Sequence, residues 1–170
     1  MRRSLAAAAA LFLCVAGLAC DKGDDSGERS LLELRPVLAT TAPPCPAAKA
    51  PKKDEVVVLP LMTPDGKVAE CLELGRTIVD ADDVRSASVG KTPAGAPALS
   101  VVLGSVGSAN LDGFAQRNQG KRLAILADGD VTSAPELRFS SFAGRIQVTG
   151  LSPEKTDQLF RRLNKLIKPG

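Results

Sequence analysis

Residues 120–135 read Gly120-Lys121-Arg122-Leu123-Ala124-Ile125-Leu126-Ala127-Asp128-Gly129-Asp130-Val131-Thr132-Ser133-Ala134-Pro135. Arg122 to Ala127 reads as a strand, since its apolar run from Leu123 is too short for a helix of ordinary length. Asp128-Gly129 follows at once, and this dipeptide supplies the left-handed backbone that a tight β-hairpin needs. Val131 then starts a returning strand, expected to run to Leu137, with a break in its ladder at Ala134-Pro135 because proline carries no N–H. The stretch encodes an antiparallel hairpin, and it contains no nucleophile–base pair.

Outward from this hairpin, other elements follow from local pattern. Ala98 to Leu103 reads as a strand, and Asn110 to Asn118 as a helix that stops near Gly120. Arg145 to Thr149 reads as another strand. Ser152-Pro153-Glu154 opens a final helix, with serine at the cap and proline at the first helical position. Leu159, Phe160, Leu163, Leu166 and Ile167 recur there at helical spacing beneath a basic face of Arg161, Arg162, Lys165 and Lys168. In the first half, Leu31 to Leu38 alternates as a strand, and Pro36 points to an edge position. Thr40 to Lys53 is rich in proline, alanine and lysine and reads as a long loop carrying Cys45. Short strands over 55–61 and 68–74 flank the Pro64-Asp65-Gly66 turn. Asp80 caps a brief helix expected over Ala81 to Ser86. The fold class is α+β: a mixed, mainly antiparallel sheet with two or three helices packed on one face.

The N-terminus is read separately. Arg2-Arg3 precede an apolar run from Leu5 to Val15, too short and wrongly flanked to span a membrane, so residues 1–19 read as an export signal. Small residues lead into Cys20 in a pattern resembling a lipobox, though Gly17 stands where leucine is preferred. Cys14 leaves with the signal, and Cys20, Cys45 and Cys71 remain. Three thiols in an oxidising compartment leave one over. Lipidation of Cys20 leaves Cys45 and Cys71 as a candidate disulfide; the alternatives are a free Cys20 and two separate thiols. Residues 20–30 are polar and glycine-containing, a tether of about 17 Å if flexible. Residues 31–170 form the domain. The protein is expected in the bacterial envelope, held by its N-terminal lipid on the periplasmic face of a membrane.

Composition narrows the function classes. Five Phe with no Trp or Tyr provide no platform on which bases stack. The formal charge falls from +3 to +1 once Arg2 and Arg3 are removed, which gives no electrostatic reason for a nucleic-acid partner. Without histidine there is no imidazole base and no ordinary Ser-His-Asp triad. Asp80, Asp82 and Asp83 read as either a cation site or a solvated helix start, and they lack the loop length of an EF-hand. Gly104 to Ser108 reads as an anion-holding loop or as a plain strand-to-helix turn, and it matches no phosphate-loop fingerprint. Lys121 and Arg122 read as an exposed pair. No catalytic residue, metal ligand or cofactor is assigned.

The 120–135 stretch strongly resembles the segment GKRLAIVLDGxVxSAP in the first periplasmic domain of SecD. Leu99 to Leu103 and the following Phe114-Ala115 are similar to that family's preceding strand and helix. Gly144 to Thr149 with Ser152-Pro153-Glu154-Lys155 is similar to its following strand and helix, and Leu31 to Val37 and Leu72 to Val84 match more loosely. The motif residues are Gly120, Lys121, Arg122, Leu123, Asp128, Gly129, Ser133, Ala134 and Pro135. The resemblance implies a head-subdomain fold and a non-enzymatic module that meets preproteins emerging from the SecYEG channel. The partner so implied is an unfolded or translocating polypeptide; the alternative reading is a structural or regulatory lipoprotein that docks on a membrane protein complex without touching substrate. Proton coupling belongs to that family's transmembrane region and does not follow from these residues.

Overall fold

The strand Leu123–Ala127 is buried on both of its faces. Successive side chains of a strand point to opposite sides, so a strand buried on both must divide two cores. Leu123, Ile125 and Ala127 enter one apolar cluster, while Ala124 and Leu126 enter another. The computed structural model describes residues 30–47 and 52–167. Its elements run β1 (Leu32–Thr41), β2 (Val57–Met62), β3 (Val68–Leu74), β4 (Val79–Asp80), a single 3-10 turn (Ala81–Asp83), β5 (Val84–Lys91), β6 (Pro97–Leu103), α1 (Ser105–Arg117), β7 (Leu123–Ala127), β8 (Asp130–Ser133), β9 (Arg145–Val148) and α2 (Pro153–Leu166).

The strands divide between two sheets. The larger has the order β3-β2-β8-β7-β1-β4, and β3 also pairs with β1, so β1, β3, β2, β8 and β7 close on themselves. All these pairings are antiparallel except β2–β8, which meet in parallel at Leu61 and Val131. Val57, Leu59, Leu72, Leu74, Ala124, Leu126 and Val131 fill the space within this ring. The smaller sheet, β5-β6-β9, is antiparallel throughout. Its Leu99, Val101, Leu103, Ile146 and Val148 pack with Leu111 of α1, Leu159 and Leu163 of α2, and Leu32 and Leu34 of β1. The α+β architecture stands as the sequence indicates, with two α-helices and mainly antiparallel strands among the described residues.

Several local expectations need correcting. β1 is an interior strand, not an edge. Val37 N–H donates to Arg122 O on the β7 side, so the nitrogen of Pro36 faces the opposite side. There β1 passes from its pairing with β4 to its pairing with β3, and a missing donor falls in the gap. The Pro36 carbonyl still accepts from Gly75 N–H at 2.9 Å. The strand also continues to Thr41, which shortens the expected loop.

The helix expected over Ala81 to Ser86 is one 3-10 turn, and the chain leaves it directly into β5. Asp80 caps the turn as expected: its carboxylate accepts from Asp82 N–H at 2.8 Å, and Asp83 accepts from Asp80 N–H at 3.2 Å. Helix α1 begins at Ser105, ahead of the expected Asn110. Gly107 lies so close beneath Asp83 that a Cβ there would come within 2.6 Å of the aspartate Cβ. Gly104 therefore makes the strand-to-helix turn as the N-cap, Ser105 to Ser108 already lie inside α1, and Gly107 serves close packing there. β8 stops at Ser133, short of Leu137, although Arg122 and Glu136 still form an isolated bridge. α2 forms as read, with the Ser152 hydroxyl accepting from Lys155 N–H at 3.3 Å. Its stripe buries Leu159 and Leu163, whereas Leu166 is exposed.

Candidate functional site

The hairpin turn is built by two left-handed residues, Asp128 (φ 52°) and Gly129 (φ 81°). Positive φ at both central positions is the type I′ condition, whose twist suits two right-twisted strands. The turn is anchored on both sides. Asp128 N–H donates to Leu31 O at 3.2 Å, and its carboxylate accepts from the Arg162 guanidinium of α2. A cleft of about 350 Å³ opens beside it, lined in part by Ala127, Asp130, Leu151, Lys155 and Arg162. On the returning strand the register shifts opposite Ile125/Leu126, and the Thr132 hydroxyl donates to Ile125 O at 3.0 Å.

At the other end of the motif, Lys121 and Arg122 part company. Lys121 is exposed, as expected, but Arg122 is half-buried. Its Nε donates to Ala134 O at 2.9 Å, and its Nη2 lies 2.5 Å from Glu70 Oε1 on β3. Leu123 N–H donates to Pro135 O, and Gly120 N–H to Leu137 O, each at 2.9 Å. Arg122 thus ties the two arms of the motif to β3. Of the motif residues, Ser133 pairs with Ile125 inside the ladder, and Ala134 packs against the ring's core.

Sequence reading missed the most buried polar group. Glu33 and Arg35, both on β1, are 1% and 0% exposed. Two residues apart on a strand, they share a face. Arg35 Nε lies 2.5 Å from Glu33 Oε2, Nη1 donates to Glu55 O at 2.9 Å and Gly75 O at 3.2 Å, and Nη2 donates to Lys52 O at 2.7 Å. Thr77 adds a hydroxyl to Glu33 at 3.1 Å. The alternation Leu32-Glu33-Leu34-Arg35 is visible in sequence, but it reads as apolar-in and polar-out. Only the second core behind β1 turns the polar face inward.

Cys45 and Cys71 form a disulfide, with Cα atoms 5.4 Å apart. It pins the loop after β1 to β3, and Arg35 holds the later part of the same loop through its carbonyls. The acidic group divides its work between capping and one ion pair. Lys53 Nζ lies 2.6 Å from Asp80 and 3.6 Å from Asp82, and its ammonium is held above the usual lysine range chiefly by the hydrogen bond to Asp80. Among the described residues no three acidic or cysteine side chains are grouped to hold a metal ion. Gly104 N–H is taken by Asp83 O at 2.7 Å. Lys121 lies apart from the cleft that Lys53, Asp80 and Asp82 share with Arg162 and Lys165. The export signal over 1–19, Cys20, tether residues 21–29 and Lys168 lie outside the described residues.

Comparison with known proteins agrees with this geometry. The family model for the SecDF, P1 head subdomain matches residues 59–165. The chain is 34% identical over 93 residues to the protein translocase subunit SecD of Aquifex aeolicus, covering 55% of this chain and 18% of that protein. It is 27% identical over 81 residues to SecD of Acidaminococcus fermentans, covering 48% of this chain and 19% of that protein. It therefore spans less than a fifth of either relative. In three dimensions it is similar to a solved structure of SecDF, a membrane component that enhances protein export, at a TM-score of 0.57 and 24% identity. That match covers 81% of this chain and 63% of the other. SecDF in its super-membrane-facing form aligns at a TM-score of 0.55 and 23% identity, covering 83% and 19%. No helix among the described residues is long and apolar enough to cross a membrane. With the family model covering well over half of its length and the motif hairpin standing at the wall between its two cores, this chain belongs to the SecDF P1 head subdomain family.

Proposed function

We propose that this chain is a non-enzymatic, lipid-anchored periplasmic module of protein export that engages extended polypeptide at the membrane surface. The observation that carries the reading is the family match over residues 59–165, in relatives that are translocase subunits. The domain is a scaffold with an unfinished side: among the described residues its smaller sheet ends on β5 without a further strand. A free sheet edge offers an extended segment main-chain hydrogen bonds, which give affinity, while flanking side chains add selectivity. That suits a module meeting many different unfolded chains.

The anchor belongs to the same reading. Residues 1–19 are the export signal, Cys20 the acylated first residue, 20–30 the tether and 31–170 the head-like domain. The Cys45–Cys71 disulfide supports it, because it leaves Cys20 as the one remaining cysteine of the mature chain. Mass spectrometry of the membrane-extracted protein is expected to show acyl chains on Cys20; an unmodified thiol there removes the anchor.

Polypeptide engagement is tested with the purified mature chain and reduced, carboxymethylated α-lactalbumin, which stays unfolded in buffer. Saturable binding to it, absent with the native folded form, is the expected result. Indifference to the unfolded protein, together with one stoichiometric partner in envelope pull-downs, would favour docking on a membrane complex instead.

A further inference from the structure

The second sheet presents three strands, and its two outer members differ in reach. β9 has four residues, whereas β5 has eight, from Val84 to Lys91. In the larger sheet, the closing β1–β3 pairing leaves only the two-residue β4 as a terminal strand. β5 is thus the longest free edge among the described residues.

Which of its backbone groups face outward follows from the hairpin. Thr92 N–H donates to Ala96 O at 2.8 Å, so Thr92 faces β6. Backbone groups of successive residues alternate in direction, so Lys91, Val89 and Ala87 face away from β6. Pro97 confirms the register: it sits opposite Lys91, and an outward-facing pair needs no N–H from it. The N–H and C=O of Ala87, Val89 and Lys91 therefore meet no strand among the described residues. Their neighbours Ser86, Ser88 and Gly90 are small and exposed, which leaves the backbone accessible, and Val89 is 44% exposed.

The charges along this edge have one sign. Arg85 and Lys91 are exposed, neither has an ion-pair partner among the described residues, and β5 carries no acid. Six residues apart along β5, with Arg85 at the register shift between Val84 and Ser86, they stand roughly 20 Å from each other. A second copy paired two-fold antiparallel about Ser88 would set Arg85 of one chain against Lys91 of the other, a like-charge opposition that destabilises that register.

We propose that β5 is the strand to which an extended polypeptide adds, and that Arg85 and Lys91 select a segment of about seven residues with a carboxylate near each end. The proposal rests on the polypeptide-engaging reading above and specifies its site and chemistry.

The test uses the mature, disulfide-bonded chain and two labelled seven-residue peptides of alternating valine and threonine, one ending in glutamate on both sides and one in lysine. Fluorescence anisotropy at low salt is expected to show the glutamate peptide binding about tenfold or more tightly, with the difference shrinking as salt rises. The R85E/K91E variant is expected to invert that order. Val89→Pro removes one outward N–H and no ladder bond to β6, and is expected to weaken the glutamate peptide about five- to tenfold with an unchanged far-UV spectrum. Should that variant fold poorly, charge reversal decides alone. Equal binding of both peptides by the wild type, an order unmoved by R85E/K91E, or a concentration-dependent dimer through β5 that excludes the peptide would each overturn the proposal. Unfolded lactalbumin separates the two levels of failure. If the variants bind it as the wild type does, the edge assignment falls and the wider reading stands; if no form binds it, the wider reading falls.

Discussion

Arg35 Nε lies 2.5 Å from Glu33 Oε2 with both side chains shut off from solvent, and the same guanidinium holds the carbonyls of Lys52, Glu55 and Gly75. Removing one partner of a buried pair leaves an uncompensated charge, which costs far more than the pair contributes. Arg35→Met is expected to destabilise the domain by about 3–5 kcal/mol. Glu33→Gln also removes the counter-charge of Arg35 but keeps an oxygen acceptor for it, and is expected to cost about 3 kcal/mol, the low end of that range. Combining the two should cost less than their sum, because one network is broken twice. The chain has no Trp or Tyr, so urea unfolding followed by far-UV circular dichroism is the suitable measurement.

The Cys45–Cys71 bridge closes a loop with a sequence separation of 26 residues. Limiting the unfolded chain in this way is worth about 3.5 kcal/mol in the chain-entropy model. Replacing both cysteines by serine should lower the urea midpoint accordingly, and reductant should then have no further effect on the variant. Since the bridge and Arg35 restrain the same loop, its residues 42–56 should become the first proteolytic site in the variant.

Gly107 and Gly113 lie on one helix and predict opposite outcomes for alanine. At Gly107 the new methyl would meet Asp83 Cβ at 2.6 Å, pressing on a residue whose carboxylate caps Asp80 N–H. Overpacking of this kind costs about 1–3 kcal/mol. At Gly113 the nearest atom is the flexible end of Arg117 at 3.6 Å, so alanine should stabilise by about 0.5–1 kcal/mol through helix propensity. Thermal melts of the two variants check the contrast.

Stability should be flat across neutrality and fall in acid. No histidine is present, so no side chain of ordinary pKa titrates between about pH 6 and 8. Asp65 is held below its usual 3.8, chiefly by the Thr63 hydroxyl, and Glu154 below its usual 4.5, chiefly by its own backbone N–H at the start of α2. Lowered carboxyl values give stability that is present above the unfolded pKa and lost as pH falls through the folded one. Lys53 is raised above 10.5, so its contribution is full below that value and lost as pH climbs through the folded one. Melting temperatures should form a plateau at neutrality, with a decline below pH 4.5 and a second one above pH 10.5.

The elements legible in the sequence were those whose signals are local. Asp128-Gly129 fixes its turn by backbone sterics alone, and Ser152-Pro153 fixes the start of α2 by capping. What escaped depended on tertiary neighbours. Val84 to Lys91 has too few apolar residues to announce a strand, and β5 exists because β6 offers it a ladder. Pro36 suggested an edge because nothing in the sequence shows that β1 changes partners beside it. Glu33 and Arg35 were hidden for a related reason, since their burial requires the ring that β3, β2 and β8 complete. Arg122 was half legible: the motif marked it, but its partner Glu70 lies 52 residues away.

Photo-crosslinking in living cells reaches the central claim most directly. A benzophenone side chain is placed at Ser88 on β5, and a control probe at exposed Phe139 in the segment between β8 and β9, while a secretory precursor is stalled during export. A precursor adduct from position 88, weak or missing from position 139, is the result this account predicts. A folded, correctly localised protein that yields no precursor adduct from position 88 would contradict it.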